Sequence, residues 1–326
     1  MMHKPCSLGS VRLMLALLLL LSAAALAADV PSVNWTKLSP VASPPGRAYP
    51  AMAYDAVSRK VILFGGFGGV YLNDTWTFDG ATWTKVDTPV APPVRTNGTM
   101  AFDRVARKLV LFGGYNGHSF LGDTWTFDGA SMTWNEEHPT LSPSAVTGPM
   151  MFTDPANGRA DEYGGYDGRF YQLDTFQWTG SDWKHIRITS PPFARSIAVV
   201  ATQSASKTTV LFDGLGDVNP YNTWTFDGHS WTQMSPSVQP PSRYGSPGAY
   251  DPRLNLVIVF GGGEGGDVIG DTWAWSVDTW KQLTPAKSPA AREGMGMTYD
   301  PAIGHIILFG GEAGSQILAD TWELTR

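Results

Sequence analysis

Five arginines recur through the chain at regular intervals, which makes them the first candidates for chemistry. They are Arg47, Arg95, Arg195, Arg243 and Arg292, and they are separated by 48, 100, 48 and 49 residues. Guanidinium groups repeated in this way can form a cluster that attracts anions. They can equally serve as structural partners, each bonded to a carboxylate or carbonyl of a neighbouring repeat. The sequence leaves both alternatives open.

Acidic residues interrupt two segments that are otherwise apolar or glycine-rich. Asp161 and Glu162 stand where the first such segment has Ile62 and Leu63, and Asp213 replaces a glycine. Buried carboxylates are costly unless they are paired or hydrated. We therefore predict a polar pocket between the third and fourth repeats, the alternative being a hydrated, poorly packed repeat.

The third repeat also breaks the arginine pattern. We assign Gly148 to the position of the missing arginine, and we expect Arg159 or Arg195 to pair with the two adjacent carboxylates. Function in a repeat protein is best sought where the symmetry is broken, which makes this repeat a candidate site.

The segments between the recurring motifs carry aromatic side chains of variable position. Tyr71, Phe120, Tyr171 and Tyr221 are candidate binding residues. Aromatic side chains beside hydrogen-bonding ones suit a protein surface or a sugar, and variable loops on a rigid scaffold often carry function. Ordinary loop composition is the alternative for each of these residues.

Other chemistry finds no support in the sequence. The histidines lack the spacing of a metal site, and the GxGxxG match at residues 261–266 lies between two expected strands, whereas a dinucleotide site needs a helix there. The only cysteine, Cys6, precedes an apolar run from Leu13 to Leu21. We predict no cofactor and no metal.

The elements that position these residues are repeats of about 50 residues. An Asp-Thr-Trp triplet or a close variant begins at residues 74, 123, 174, 222, 271 and 320, a glycine doublet or variant precedes each triplet, and a second tryptophan follows the first five. Each repeat predicts four short strands, here called a to d. Six such repeats indicate an all-β, six-bladed β-propeller with four antiparallel strands per blade.

The sixth repeat ends four residues after Trp322 and lacks strand d. Residues 33–38, Val-Asn-Trp-Thr-Lys-Leu, match the strand d of the first repeat at residues 81–86. We therefore expect the N-terminal strand to complete the last blade and close the ring.

The glycine doublet after an apolar strand and the two later aromatic positions resemble the kelch repeat, over residues 30–326. The resemblance implies a fold like the central domain of galactose oxidase and a protein- or carbohydrate-binding scaffold. Galactose oxidase chemistry needs a Cys–Tyr cofactor, which a mature chain without cysteine excludes. A sugar-modifying enzyme, such as the exported six-bladed sialic acid mutarotases, is the alternative, although no motif locates catalytic residues.

The N-terminal 28 residues predict a secretory signal peptide, with Lys4 and Arg12, an apolar core and an Ala25-Leu26-Ala27 cleavage signature. We expect cleavage near Ala27, a single propeller domain over residues 29–326, secretion and a monomer. Loss of the two cations changes the net charge from −6 to −8. An acidic chain without a basic cluster argues against nucleic acid as a partner, and cleavage would leave no membrane span.

Overall fold

The structure of the protein is a computed structural model, and it describes residues 32–218 and 221–326. The expected signal peptide lies outside the described residues. Within them, all regular structure except short turns is β-strand, arranged as six four-stranded antiparallel sheets and one two-stranded hairpin. The all-β, six-bladed propeller predicted from the sequence is confirmed.

The blades follow the order of the chain. Blade one consists of β2 (Ala51–Asp55), β3 (Lys60–Phe64), β4 (Thr75–Phe78) and β5 (Trp83–Val86). Blade two consists of β6 (Thr99–Asp103), β7 (Lys108–Phe112), β8 (Thr124–Asp128) and β9 (Thr133–Glu137). Blade three consists of β10 (Met150–Thr153), β11 (Ala160–Tyr163), β12 (Thr175–Trp178) and β13 (Trp183–Ile186).

Blades four to six continue the series. Blade four consists of β14 (Val199–Gln203), β15 (Thr208–Phe212), β16 (Thr223–Phe226) and β17 (Trp231–Met234). Blade five consists of β18 (Gly248–Asp251), β19 (Leu256–Glu264), β20 (Asp267–Ser276) and β21 (Thr279–Leu283). Blade six consists of β22 (Gly296–Asp300), β23 (His305–Phe309), β26 (Thr321–Thr325) and β1 (Asn34–Lys37). The two-stranded hairpin is β24 (Glu312–Ala313) and β25 (Gln316–Ile317).

The N-terminal strand closes the ring as expected. β1 is the outer strand of blade six and pairs antiparallel with β26, with Asn34 opposite Thr325 and Lys37 opposite Trp322. Pairing of the two ends of the chain leaves each blade with one exposed edge at the rim, which limits edge-to-edge association.

The second strand of each blade is apolar because neighbouring blades cover both of its faces. In β3, Val61 and Leu63 pack against blade six, whereas Ile62 and Phe64 pack against blade two. Successive side chains of a strand point to opposite faces, so a continuous apolar run fits this position.

Tryptophans of the outer strands connect neighbouring blades. The indole Nε1 of Trp134 in blade two donates to Thr75 Oγ1 in blade one at 2.9 Å, and Trp183 in blade three donates to Thr124 Oγ1 in blade two at 2.8 Å. Trp83, Trp280 and Trp35 make the equivalent bonds. Through these contacts, the second tryptophan of a repeat joins its blade to the preceding one.

Six backbone hydrogen bonds form a ring around the central axis, just before the inner strands begin. The N–H of each residue donates to the carbonyl of its counterpart in the preceding blade; the six residues are Tyr49, Asn97, Gly148, Ile197, Gly245 and Gly294. All six have positive φ. The last bond, from Tyr49 N–H to the Gly294 carbonyl, joins blade one to blade six.

Candidate functional site

The arginines are buried inside their own blades. Arg47 donates from its two terminal nitrogens to the two carboxylate oxygens of Asp74, at 2.6 and 2.9 Å, and also to the Gly65 carbonyl at 2.9 Å. Its Nε donates to the Pro45 carbonyl. Arg95, Arg243 and Arg292 make the same contacts in their own blades.

This arrangement gives the arginines a structural role. The five side chains of the predicted arginine set are 0–1% exposed. The aspartate that pairs with Arg47, Arg95, Arg243 or Arg292 belongs to the same blade rather than to a neighbour. Although burial opposes it, the hydrogen bonds from Arg47 and Trp76 hold the pKa of Asp74 below its usual value. We therefore place the candidate ligand surface elsewhere.

Blade three lacks the buried arginine, and the residue that replaces it is not the one predicted from the sequence. The assignment of Gly148 to the missing arginine is wrong, because Gly148 belongs to the axial ring. Val146 takes the arginine position, because its backbone makes the same two hydrogen bonds as that of Arg95. The N–H of Val146 donates to the Leu121 carbonyl, and that of Arg95 donates to the Leu72 carbonyl. The Val146 carbonyl accepts from the Gly114 N–H, and the Arg95 carbonyl accepts from the Gly66 N–H.

The three unusual carboxylates do not meet in one pocket. Asp161 shares a strand face with Tyr163, which packs against blade four, whereas Glu162 shares a face with Ala160, which packs against blade two. Asp213 turns toward blade five and accepts from the Arg243 N–H. Side chains that alternate along a strand cannot line the same side of a blade.

Each of these carboxylates is less than 3% exposed, and neither expected arginine pairs with Asp161 or Glu162. Asp161 Oδ1 accepts from Gln177 Nε2 at 2.8 Å. Arg159 instead approaches Asp103, at 3.9 Å. Burial raises the pKa of Asp161 and of Glu162 well above their usual values and that of Asp213 to about 6.

Glu162 lines a cavity of about 70 Å³ at the connection between blades two and three. Asp174, the counterpart of Asp74, lines the same cavity, together with Ser142, Ser144, Gln172 and Phe176. Glu162 is buried beside this second carboxylate, and its Oε1 has no hydrogen-bond partner within the part of the chain that the structure describes.

Six aromatic rings form a continuous arc over blades one to three. The arc lies on the loop face, the face that carries the connections between strands b and c and between strand d and the next strand a. The centroids of successive rings are 5.2, 5.9, 5.3, 6.1 and 4.8 Å apart; the rings belong to Phe67, Tyr71, Tyr115, Phe120, Tyr166 and Tyr171. All six side chains are partly exposed. We call this set the aromatic arc.

The arc combines residues that the sequence predicted with residues that it did not. Tyr71, Phe120 and Tyr171 lie in the arc, whereas Tyr221 packs on Phe212 and donates to the Pro240 carbonyl at 2.7 Å. The missed members Phe67, Tyr115 and Tyr166 each follow a glycine doublet directly. That shared position is the sequence signal that could have identified them.

The opposite side of the loop face is acidic. Burial, together with the charge of the nearby Glu293 carboxylate, raises the pKa of the Tyr49 hydroxyl. Burial also raises the pKa of Glu293 and of Glu312, the latter with a contribution from the charge of Glu293. Burial and the charges of Glu293 and Glu312 also raise the pKa of the neighbouring Tyr244 hydroxyl. This cluster was not predicted.

A comparison with known families agrees with this architecture. A family model described as the KLHDC2/KLHL20/DRC7 Kelch-repeats domain matches residues 23–214, more than half of the chain. The chain belongs to the kelch-repeat family. A search of curated proteins found no match. Propellers of the kelch family typically act as protein-binding scaffolds.

The kelch propeller also encloses a central cavity of about 350 Å³, lined by the inner strands of its blades. Its wall is mainly apolar or small, with Met52, Met100, Met151 and Met297 among the lining residues. The axial ring borders it on the loop face. Polar side chains also reach the wall, among them those of Tyr49, Asn97 and Ser246.

Two further features of the kelch propeller concern metals and membranes. In residues 32–218 and 221–326, no group of three or more His, Cys, Asp or Glu side chains is arranged to hold a metal ion. In the same part of the chain, no helix has the length and apolar character needed to cross a bilayer.

Proposed function

We propose that this kelch propeller is a secreted protein-binding scaffold and that the aromatic arc is its contact surface. The observation that carries the proposal is the continuity of the arc. Six partly exposed rings from three successive blades present a large amphipathic surface on a rigid support. Tyrosine and phenylalanine are enriched in the cores of protein interfaces, where they bury much area for little loss of conformational entropy.

Apolar and cationic groups extend this surface. Val70 and Phe170 are exposed on the same connections that carry Tyr71 and Tyr171, and the Arg169 guanidinium lies 4.9 Å from the centre of the Phe170 ring. Exposed apolar side chains grouped beside an aromatic surface are typical of interaction sites. The acidic cluster around Glu293 would add charge selectivity at the other side of the loop face.

Site-specific photo-crosslinking tests the proposal. A photoreactive phenylalanine analogue replaces Tyr71 in one protein and, as a matched control, Val105 in another. Val105 is 54% exposed in the turn between strands a and b, on the face opposite the arc. The proteins are exposed to the extracellular fluid of the producing cells, and saturable adducts are identified by mass spectrometry.

We expect a defined protein adduct from position 71, competed by the unlabelled propeller, and none from position 105. The triple variant Tyr71→Ser, Phe120→Ser, Tyr171→Ser should compete at least tenfold less well, whereas Val105→Ser should compete as the unchanged protein does. Equal competition by both variants, at equal folded fractions, would contradict the assignment of the arc.

Secretion itself requires a separate measurement. Mass spectrometry of protein recovered outside the cytoplasm should give a chain that begins close to Ala28, since cleavage is expected near Ala27. Recovery of a chain that retains residues 1–27 would argue against this part of the proposal.

A carbohydrate ligand, with or without turnover, is the second candidate function. It is supported by the cluster of Tyr49, Tyr244, Glu293 and Glu312, because carboxyl groups with raised pKa beside tyrosines suit proton transfer on a sugar. Sugar isomerisation followed by NMR tests it. Turnover that is lost in Glu293→Gln supports an enzyme, whereas saturable glycan binding without turnover supports a lectin-like scaffold.

A further inference from the structure

Five blades of this propeller bind a guanidinium group at the same position, with closely similar hydrogen-bond acceptors. In blades one, two, five and six a buried arginine donates to the carbonyl two residues before it, to the first carbonyl of the glycine doublet and to both oxygens of an aspartate. In blade four, Arg195 uses the Phe193 and Asp213 carbonyls and Asn222 Oδ1. The fold thus places a guanidinium at the same position in five blades.

Blade three keeps the acceptors of this site and lacks the donor. Val146 replaces the arginine, whereas Asp174 remains at the aspartate position and Gly164 at the doublet. The Asp174 side chain is 52% exposed, against 15–21% for the four aspartates that pair with an arginine. His185 Nε2 contacts Asp174 Oδ1 at 2.9 Å from the outer strand.

The vacated position is more acidic than its counterparts. Glu162 replaces the leucine of blade one, so that a second carboxylate lines the cavity beside Asp174. Glu162 is 2% exposed, and its Oε1 finds no hydrogen-bond partner among residues 32–218 and 221–326. Burial, with the charges of Asp174 and Asp161, raises its pKa, which a bound cation would reverse. The cavity of about 70 Å³ has room for more than one water-sized group.

We infer that the blade-three cavity binds the guanidinium group of an arginine side chain supplied by a protein partner. The inference rests on the proposed scaffold function and names the chemistry of the partner. A guanidinium fits better than an ammonium because its planar fork can bond a carboxylate and a carbonyl at once. The five internal arginines display that geometry at the equivalent position.

The location of the cavity agrees with this role. Gln172, which lines the cavity, follows Tyr171, the last ring of the aromatic arc. Ser142 and Ser144 are exposed at the cavity wall, so the site is open to the surface. A partner segment on the arc could therefore place an arginine in the cavity.

The test uses the purified propeller and N-acetyl-arginine amide as probe, with binding followed by NMR. N-acetyl-citrulline amide is the uncharged analogue, and N-acetyl-lysine amide is the ammonium analogue. Val146→Arg should fill the cavity with an internal guanidinium as in the other blades, and Val105→Arg is the matched control, because it adds the same charge to an exposed valine on the opposite face.

We expect saturable binding of the arginine probe, at least tenfold tighter than that of either analogue. Val146→Arg should weaken it at least tenfold and raise the midpoint of thermal unfolding, whereas Val105→Arg should change neither. Glu162→Leu, which restores the residue type of blade one, should also weaken binding tenfold or more and provides the test if Val146→Arg fails to fold.

Equal binding of arginine and citrulline, equal binding of arginine and lysine, or unchanged binding in Val146→Arg or Glu162→Leu would overturn the inference, as would the absence of saturable binding. Tyr71→Ser should leave binding of the small probe unchanged. The two proposals can therefore fail separately. Absence of an adduct at position 71 would contradict the aromatic arc as the contact surface, whereas absence of probe binding would contradict the cavity as a guanidinium site.

Discussion

Trp35 donates from its indole Nε1 to Thr272 Oγ1 at 3.1 Å, across 237 residues of the chain. The bond attaches the N-terminal strand of blade six to blade five, and the same Trp–Thr contact recurs at four other interfaces. At the interface of blades three and four it is not formed. There, Trp231 Nε1 and Thr175 Oγ1 both lack hydrogen-bond partners among the described residues, and Tyr163 takes the place of a phenylalanine beside Trp231.

This difference gives a matched pair of variants. Trp35→Phe and Trp231→Phe remove the same ring atoms, but only the first breaks a hydrogen bond and leaves a buried threonine hydroxyl unsatisfied. We expect Trp35→Phe to lower the free energy of unfolding by about 1–3 kcal/mol more than Trp231→Phe does. Urea unfolding curves measure the difference, and equal costs for the two variants would show that the Trp–Thr bond contributes nothing.

Removal of a blade arginine should be severe. Arg47→Ala leaves Asp74 as a largely buried carboxylate without its cation and orphans the Gly65 carbonyl. We expect a loss of about 3–5 kcal/mol in the free energy of unfolding. Arg187→Ala, at an exposed position, is the control and should change the value by less than about 0.5 kcal/mol. A small effect of Arg47→Ala would contradict the structural role.

Stability should fall as the pH rises above 4. Asp213 has an ordinary pKa near 3.8 in the unfolded chain and about 6 in the folded protein, because burial disfavours its charged form. The folded state therefore binds more protons between these values. Protonated Asp213 stabilises the folded state by about 3 kcal/mol. This contribution is complete below pH 4 and is lost as the pH rises through 6.

Asp213→Asn isolates this contribution. The amide oxygen can still accept from the Arg243 N–H, but the side chain no longer titrates. The slope of unfolding free energy against pH between 4 and 7 should therefore become less steep. Asp161 and Glu162 change stability in the same direction, since burial raises their pKa values too, so a residual slope is expected. An unchanged slope in the variant would refute the assignment to Asp213.

A side chain at Gly148 should destabilise the axial ring, because it would meet a neighbouring member of that ring. This residue has φ of +62°, and a Cβ added there would lie 2.4 Å from Ile197 Cγ2. Gly69 has φ of +89° with open space around a new Cβ, so Gly69→Ala measures the backbone cost alone, about 1 kcal/mol. Gly148→Ala should cost about 1–3 kcal/mol more, measured by chemical unfolding. Ile197→Gly, by removing the opposing methyl, should cancel most of that difference.

The blade-three carboxylates illustrate where sequence reasoning reached its limit. Asp161 and Glu162 were correctly identified as breaks in an apolar strand, and both are buried. Their adjacency in the sequence suggested a common pocket, but adjacent residues of a strand face opposite neighbouring blades. The register of the repeat, rather than the approximate start of a strand, was needed to identify Val146 instead of Gly148 as the replacement for the arginine.

The sequence alone determined the architecture, because strand pattern, turn residues and blade contacts all recur with one period. Six copies of the Asp-Thr-Trp column set the number of blades, and the match of residues 33–38 to 81–86 specified how the ring closes. Only the tertiary structure decided the candidate site. Three rings of the aromatic arc recur after the glycine doublets, but their contacts with rings of the next blade, and the cavity beside Glu162, depend on how the connections fold against one another, which the repeat pattern does not specify.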